Sequence, residues 1–127
     1  MDIAPWALAA AVAAAFLISA TWYAVLDRPA TGGEASTGAA MPIWKVGAEL
    51  GRGLVVALVI AWLATRLQIT EWRAAVLLGL VLWAGFPLVL ITGSVLWDDA
   101  PKRRAVLHAG DWLLKLVAVA LITALWR

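Results

Sequence analysis

Three ionisable side chains stand close together in the last apolar stretch of this chain. His108, Asp111 and Lys115 follow one another at intervals of three and four residues, which places them on one face of an α-helix. An imidazole, a carboxylate and an ammonium in such a row could exchange a proton, attract an ion or neutralise one another. This polar stripe is therefore the first place in the sequence to look for chemistry.

The stretch that carries the stripe is long enough to cross a membrane. As an α-helix, residues 105–126 would extend about 33 Å, compared with about 30 Å for the hydrocarbon core of a bilayer. Lys115 would then lie near the middle of the bilayer. A charge at that depth is expensive unless it is paired or hydrated, so it marks a candidate functional site.

The composition of the whole chain also indicates a membrane protein. Of its 127 residues, 65% are hydrophobic and only 14% are charged, whereas soluble domains average about half apolar and about a quarter charged residues. The length leaves room for a single domain, residues 1–127. The chain has no cysteine, which excludes disulfides and cysteine-ligated metals. Its scattered basic residues form no surface for nucleic acid, so we predict no nucleic-acid partner.

Four apolar stretches predict an all-α, integral membrane four-helix bundle with both termini on the same side of the bilayer. The predicted spans are residues 3–26, 46–67, 72–97 and 105–126. Residues 28–45 are rich in small polar residues and predict a flexible loop, and Pro87 predicts a kink in the third span. The short link at 68–71 predicts that the second and third spans are antiparallel neighbours.

A second charged pair opens the second span. Glu49 and Arg52 stand three residues apart and can pair on one helix face. Because the second and fourth spans start at the same side of the membrane, this pair is predicted to face the stripe. Together they would form an intramembrane polar cluster: Glu49, Arg52, His108, Asp111 and Lys115. Lys115 would be the floor of a polar vestibule that closes at depth.

The polar cluster has two interpretations. Its charges could neutralise one another and fix helix register, as in a structural or accessory membrane protein. Alternatively, His108 could pass protons toward Asp111 in a small proton- or ion-coupled transporter or channel. A single histidine provides no metal site, and no serine stands in a hydrolase motif. We therefore predict no metal, no cofactor and no enzymatic activity.

Small residues mark faces where helices could approach closely. Gly47 and Gly51 form a GxxxG pattern in the second span. The other helix-packing candidates are Gly85, Gly110 and an alanine stripe at Ala7, Ala11 and Ala15. Such faces predict that the protein, in its lipid bilayer, forms a homo-oligomer such as a homodimer or binds a partner membrane protein.

The basic residues predict an orientation. The first and third loops carry more of them than the side with the termini, which has Arg66, Arg73 and Arg127. Because positively charged loops stay in the cytoplasm, we expect both of these loops to be cytoplasmic and both termini to lie outside.

Four short motifs give the chain a resemblance to a known family. They are Trp22-Tyr23, Leu82-Trp83-Ala84-Gly85-Phe86, His108-Ala109-Gly110 and the closing Leu125-Trp126. In these motifs the chain resembles the small four-helix bacterial membrane proteins of domain of unknown function 1761. The resemblance implies four spans in a bacterial inner (cytoplasmic) membrane and no established activity.

Overall fold

The computed structural model describes residues 3–26 and 42–126, and all regular secondary structure in that part of the chain is helical. In chain order the helices are α1 (Pro5–Leu26), α2 (Ile43–Arg66), α3 (Trp72–Gly85), α4 (Pro87–Trp97) and α5 (Lys102–Leu125). Most of the predicted flexible loop at 28–45 lies outside the described residues.

Four helical stretches are long and apolar enough to cross a membrane, the third of them being α3 and α4 taken together. Long-range contacts set their directions. The end of α1 meets the start of α5, where the indole of Trp22 bonds to the carbonyl of Leu107, so these two helices are antiparallel. The predicted all-α bundle of four membrane-spanning helices is confirmed.

The third span is broken at Phe86, where the backbone leaves helical geometry with φ −123° and ψ −77°. Pro87 is the first residue of α4. Because proline has no backbone N–H, the i→i−4 bond that residue 87 would make to Trp83 is lost. The interruption predicted at Pro87 is confirmed, and it separates α3 from α4.

Two helices start earlier than their apolar stretches. α2 begins at Ile43 and α5 at Lys102, three residues before the predicted starts at 46 and 105. Each follows a proline with φ −58°, Pro42 or Pro101, which is compatible with the start of a helix. Residues 43–45, predicted as loop, are therefore helical, because hydropathy marks where a chain is apolar rather than where its backbone hydrogen bonds begin.

The link between α2 and α3 is a tight cap on the end of α2. Gln68 has a φ of 55°, and the amides of Gln68 and Ile69 donate to the carbonyls of Thr65 and Ala64, respectively. This pair of bonds is a Schellman motif, which stops a helix and reverses the chain. α2 and α3 nevertheless do not form one of the main helix pairs, because each packs on α5 instead.

α5 is the centre of the bundle. It packs against α1, α2, α3 and α4, and the remaining main pairs are α1 with α2 and α3 with α4. Small residues permit the close contacts. The predicted alanine stripe of α1 is buried, and a Cβ added at Gly79 in α3 would lie 2.8 Å from the Cα of Val117 in α5.

The two halves of the bundle differ in packing. In the half near the chain termini, buried residues come from α1, α2, α3 and α5. In the other half, α4 has no buried residue and α2 has none before Ala57. The main buried groups in this looser half are Leu107 and Asp111 of α5, and Asp111 belongs to the predicted polar stripe.

Candidate functional site

Asp111 is the buried centre of the site, with only 2% of its surface exposed. The hydroxyl of Ser19, on α1, donates a hydrogen bond of 2.8 Å to its Oδ1. The ammonium of Lys115, one turn further along α5, lies 3.2 Å from its Oδ2. Each carboxylate oxygen therefore has a donor, as a buried charge requires.

Tyr23 links Asp111 to the outer end of the stripe. Its hydroxyl oxygen lies 2.6 Å from Nδ1 of His108 and 3.4 Å from Oδ2 of Asp111. The rings of Tyr23 and His108 also meet edge to face, with centroids 5.5 Å apart. His108 itself is exposed, so a chain of polar contacts runs from the protein surface to the buried carboxylate.

Lys115 is held by two interactions. Besides its ion pair, its Nζ lies 3.9 Å from the centroid of the Trp112 ring, within the range of a cation–π contact. The Lys115 side chain is 13% exposed. The ammonium is thus largely withdrawn from solvent, with a carboxylate on one side and an aromatic face on the other.

Two tryptophans fix the position of α5 at the level of this site. The indole of Trp22, on α1, donates to the carbonyl of Leu107 over 2.9 Å, and the indole of Trp83, on α3, donates to that of Ala109 over 2.8 Å. A Cβ added at Gly110 would overlap the Trp22 indole. Side chains of α1 and α3 therefore hydrogen-bond to the same turn of α5.

The end of α1 receives a further contact from α5. Arg103 donates a hydrogen bond of 2.9 Å to the carbonyl of Leu26, the last residue of α1. Carbonyls at a helix carboxyl end have no partner within the helix, and a cation there also complements the helix dipole. α1 and α5 are thus joined from Ser19 to the end of α1.

The predicted polar cluster is brought together only in part. His108, Asp111 and Lys115 share one network, but the hydrogen bond and ion pair of Arg52 go to Glu49 on the same helix. The side chains of Arg52 and Glu49 are 64% and 40% exposed. They stand on the part of α2 that has no buried residue, so they do not reach the stripe on α5.

Of the four glycines predicted to pack against other helices, only Gly110 does so within the described part of the chain. Gly110 lies directly under Trp22, whereas a Cβ added at Gly47, Gly51 or Gly85 would meet no atom of residues 3–26 or 42–126 within 4 Å. Gly79, which was not among the candidates, makes the close approach to Val117. Packing within the chain thus uses Gly79 and Gly110, and the GxxxG face of α2 lies open.

The predicted polar cluster did not include the two α1 residues that complete the site, Ser19 and Tyr23. A signal was present, because the two are four residues apart and so share a helix face at the membrane level of Asp111.

Within residues 3–26 and 42–126, no three histidine, aspartate or glutamate side chains gather in a way that could hold a metal ion. In the same ranges every buried side-chain nitrogen or oxygen has a hydrogen-bond partner.

Comparison with known protein families gives one match that covers most of the chain. Residues 6–124 match the family described as Protein of unknown function (DUF1761). The chain belongs to the DUF1761 family. No curated protein and no solved structure matches it.

Three of the four motifs named in the sequence analysis contribute residues to one region of the structure. Trp22 and Tyr23 come from α1, Trp83 comes from α3, and the His108–Gly110 segment comes from α5, yet all of them meet around one turn of α5. The fourth motif, Leu125-Trp126, lies at the other end of α5, so in this DUF1761 protein three of the four motifs contribute residues near Asp111.

Proposed function

We propose that this DUF1761 protein is a non-enzymatic structural or accessory membrane protein, in which the Asp111 network joins α1 to α5. The observation that carries the proposal is the pairing of both Asp111 oxygens by donors of the same chain. A network that is satisfied without a ligand suits a device that sets the register of two helices.

The surroundings of the network support the same role. The indoles of Trp22 and Trp83 bond to the backbone of α5 rather than pointing into a binding site. Backbone carbonyls are fixed points on a helix, so these bonds define where along α5 the helices α1 and α3 must stand. An accessory protein also needs a surface for other proteins, and the open Gly47–Gly51 face of α2 provides one for a second copy or a partner membrane protein.

A second candidate function is a small proton- or ion-coupled transporter. One observation favours it: Tyr23 lies between exposed His108 and the Asp111–Lys115 ion pair, with its hydroxyl oxygen 2.6 Å from Nδ1 of His108 and 3.4 Å from Oδ2 of Asp111. Such chains of ionisable groups are used to move protons in membrane proteins. On this alternative, the buried ion pair would exchange partners during transport.

Proton flux in reconstituted vesicles separates the two functions. Liposomes containing the protein and a trapped pH dye should acidify under an imposed membrane potential no faster than protein-free liposomes. The matched control is the double variant Asp111→Leu, Lys115→Leu. Flux in the unmodified protein that disappears in this variant would overturn the structural proposal.

On the same purified protein, light scattering should give a mass above that of one chain, and a monomer would remove the homo-oligomer from the proposal.

We further propose a multi-pass location in the bacterial inner membrane, with the first and third loops in the cytoplasm. The basic residues of these loops support this orientation. Because the chain has no cysteine, a single cysteine introduced as Ser36→Cys can be labelled selectively. It should react with a membrane-impermeant maleimide in inverted vesicles and not in intact cells. Reaction in intact cells would reverse the orientation.

A further inference from the structure

We propose that His108, Tyr23 and Asp111 form a proton-binding site, in which a proton taken up from water by His108 turns the Tyr23 hydroxyl toward Asp111. The proton stays on the imidazole, and the tyrosine transmits its arrival to the buried ion pair. This inference goes beyond the proposed structural role, because it gives the α1–α5 contact a response to pH.

The hydroxyl of Tyr23 has two acceptors within reach but a single proton to donate. Its oxygen lies 2.6 Å from Nδ1 of His108 and 3.4 Å from Oδ2 of Asp111. The first distance is that of a full hydrogen bond, and the second is longer than the usual range for a hydroxyl donor. When the imidazole is neutral and protonated at Nε2, its Nδ1 accepts the hydroxyl proton over the shorter of the two distances.

Protonation of His108 reverses that bond. An imidazolium carries hydrogen on both ring nitrogens, so Nδ1–H becomes the donor and the Tyr23 oxygen becomes the acceptor. The hydroxyl proton is then released to bond Oδ2 of Asp111, and a carboxylate is a strong acceptor for it. One proton enters from water, no covalent bond other than the new N–H forms, and Asp111 gains a third donor beside Ser19 and Lys115.

The charged and polar side chains nearest to this site come from α5 and α1. On α5, Lys115 faces Asp111, and Arg104 stands one turn before His108. From α1, Ser19 and Tyr23 face the stripe. The charges of α2 nearest this level, Glu49 and Arg52, pair with each other. α3 carries only Arg73, at the far end of the span, and α4 carries no charged residue, with Asp98 following its end.

The direction of the response follows from the donor count. Below the midpoint of the His108 titration, Tyr23 bonds both His108 and Asp111, and α1 is joined to α5 by one more strong hydrogen bond. Above the midpoint, the Tyr23 hydroxyl donates to His108 and no longer to Asp111. The contact between α1 and α5 should therefore tighten as the pH falls and loosen as it rises.

The composition of the chain makes this testable residue by residue. It contains one histidine and one tyrosine, so in the NMR spectrum of the full chain in lipid nanodiscs the ring ¹⁵N signals of labelled histidine come from His108 alone, and the ¹³Cζ signal of labelled tyrosine comes from Tyr23 alone. Asp111 is followed by difference infrared spectroscopy with ¹³C-aspartate, and its carboxylate band is identified by its loss in Asp111→Asn. The signals of Tyr23 and Asp111 should shift at the pH midpoint at which His108 titrates.

Two variants separate the relay from a direct effect of charge. In Tyr23→Phe, His108 should still titrate, but the shift of the Asp111 band at that midpoint should be lost. In His108→Gln, the Tyr23 and Asp111 signals should both stop responding. An unchanged Asp111 shift in Tyr23→Phe would overturn the proposal. So would a neutral His108 that carries its proton on Nδ1, which is read from the unmodified protein and needs no variant to fold.

Discussion

Replacing Asp111 with leucine is expected to lower the free energy of unfolding by about 3–5 kcal/mol, the usual effect of removing one partner from a buried ion pair. The ammonium of Lys115 would lose the carboxylate that neutralises it while its side chain remains only 13% exposed. Ser19 would also lose its acceptor on α5. The measurement is equilibrium unfolding in mixed micelles, followed by helical circular dichroism.

The matched control is the double variant Asp111→Leu, Lys115→Leu. It removes both charges together, and replacing a whole buried ion pair with apolar residues is often neutral or stabilising. We therefore expect the double variant to recover most of the stability that Asp111→Leu loses. If the double variant were as unstable as the single one, the loss would come from the Ser19 and Tyr23 contacts rather than from an unpaired charge.

A methyl group at Gly79 is the second large perturbation. In Gly79→Ala the new Cβ would lie 2.8 Å from the Cα of Val117, closer than such atoms can stand, and the obstacle is backbone rather than a movable side-chain end. α3 must then shift away from α5. Overpacking of this kind lowers stability by about 1–3 kcal/mol, and the same unfolding measurement should detect it.

Gly93 provides the comparison, because it is also helical but a Cβ added there would meet no atom of the described part of the chain within 4 Å. Gly93→Ala should leave stability unchanged or raise it slightly, since alanine favours helix more than glycine does. Equal destabilisation by both substitutions would mean that the close approach of α3 to α5 is not what Gly79 provides.

The helical spans could be predicted from the sequence because length and hydropathy are local properties. Apolar stretches long enough to cross a bilayer indicate where helices lie, and Pro87 indicates where one breaks. The alanine stripe of α1 was also predictable, since a four-residue spacing defines one face of a helix whatever lies opposite. Each of these predictions depends on residues within a single helix.

The arrangement of helices around α5 was not predictable in the same way. Periodicity shows which residues share a face, but the rotation of one helix against another depends on contacts summed over the whole bundle. Glu49 and Arg52 illustrate the limit: they lie near the start of α2 as expected, yet α2 has no buried residue before Ala57 and the pair stays exposed. Ser19 and Tyr23 were not assigned to the cluster, because a hydroxyl in an apolar helix does not show by itself which neighbouring helix it will contact.

The central position of α5 has a consequence for biosynthesis. α5 follows the other four helices along the chain, so it is the last of them to leave the ribosome. Until it emerges, the only main helix pairs that can form are α1 with α2 and α3 with α4. Assembly of this bundle must therefore wait for the segment that is hardest to insert, the one carrying Asp111 and Lys115. The hydroxyls of Ser19 and Tyr23 on α1 are synthesised earlier, so they are available to donate to Asp111 when α5 inserts.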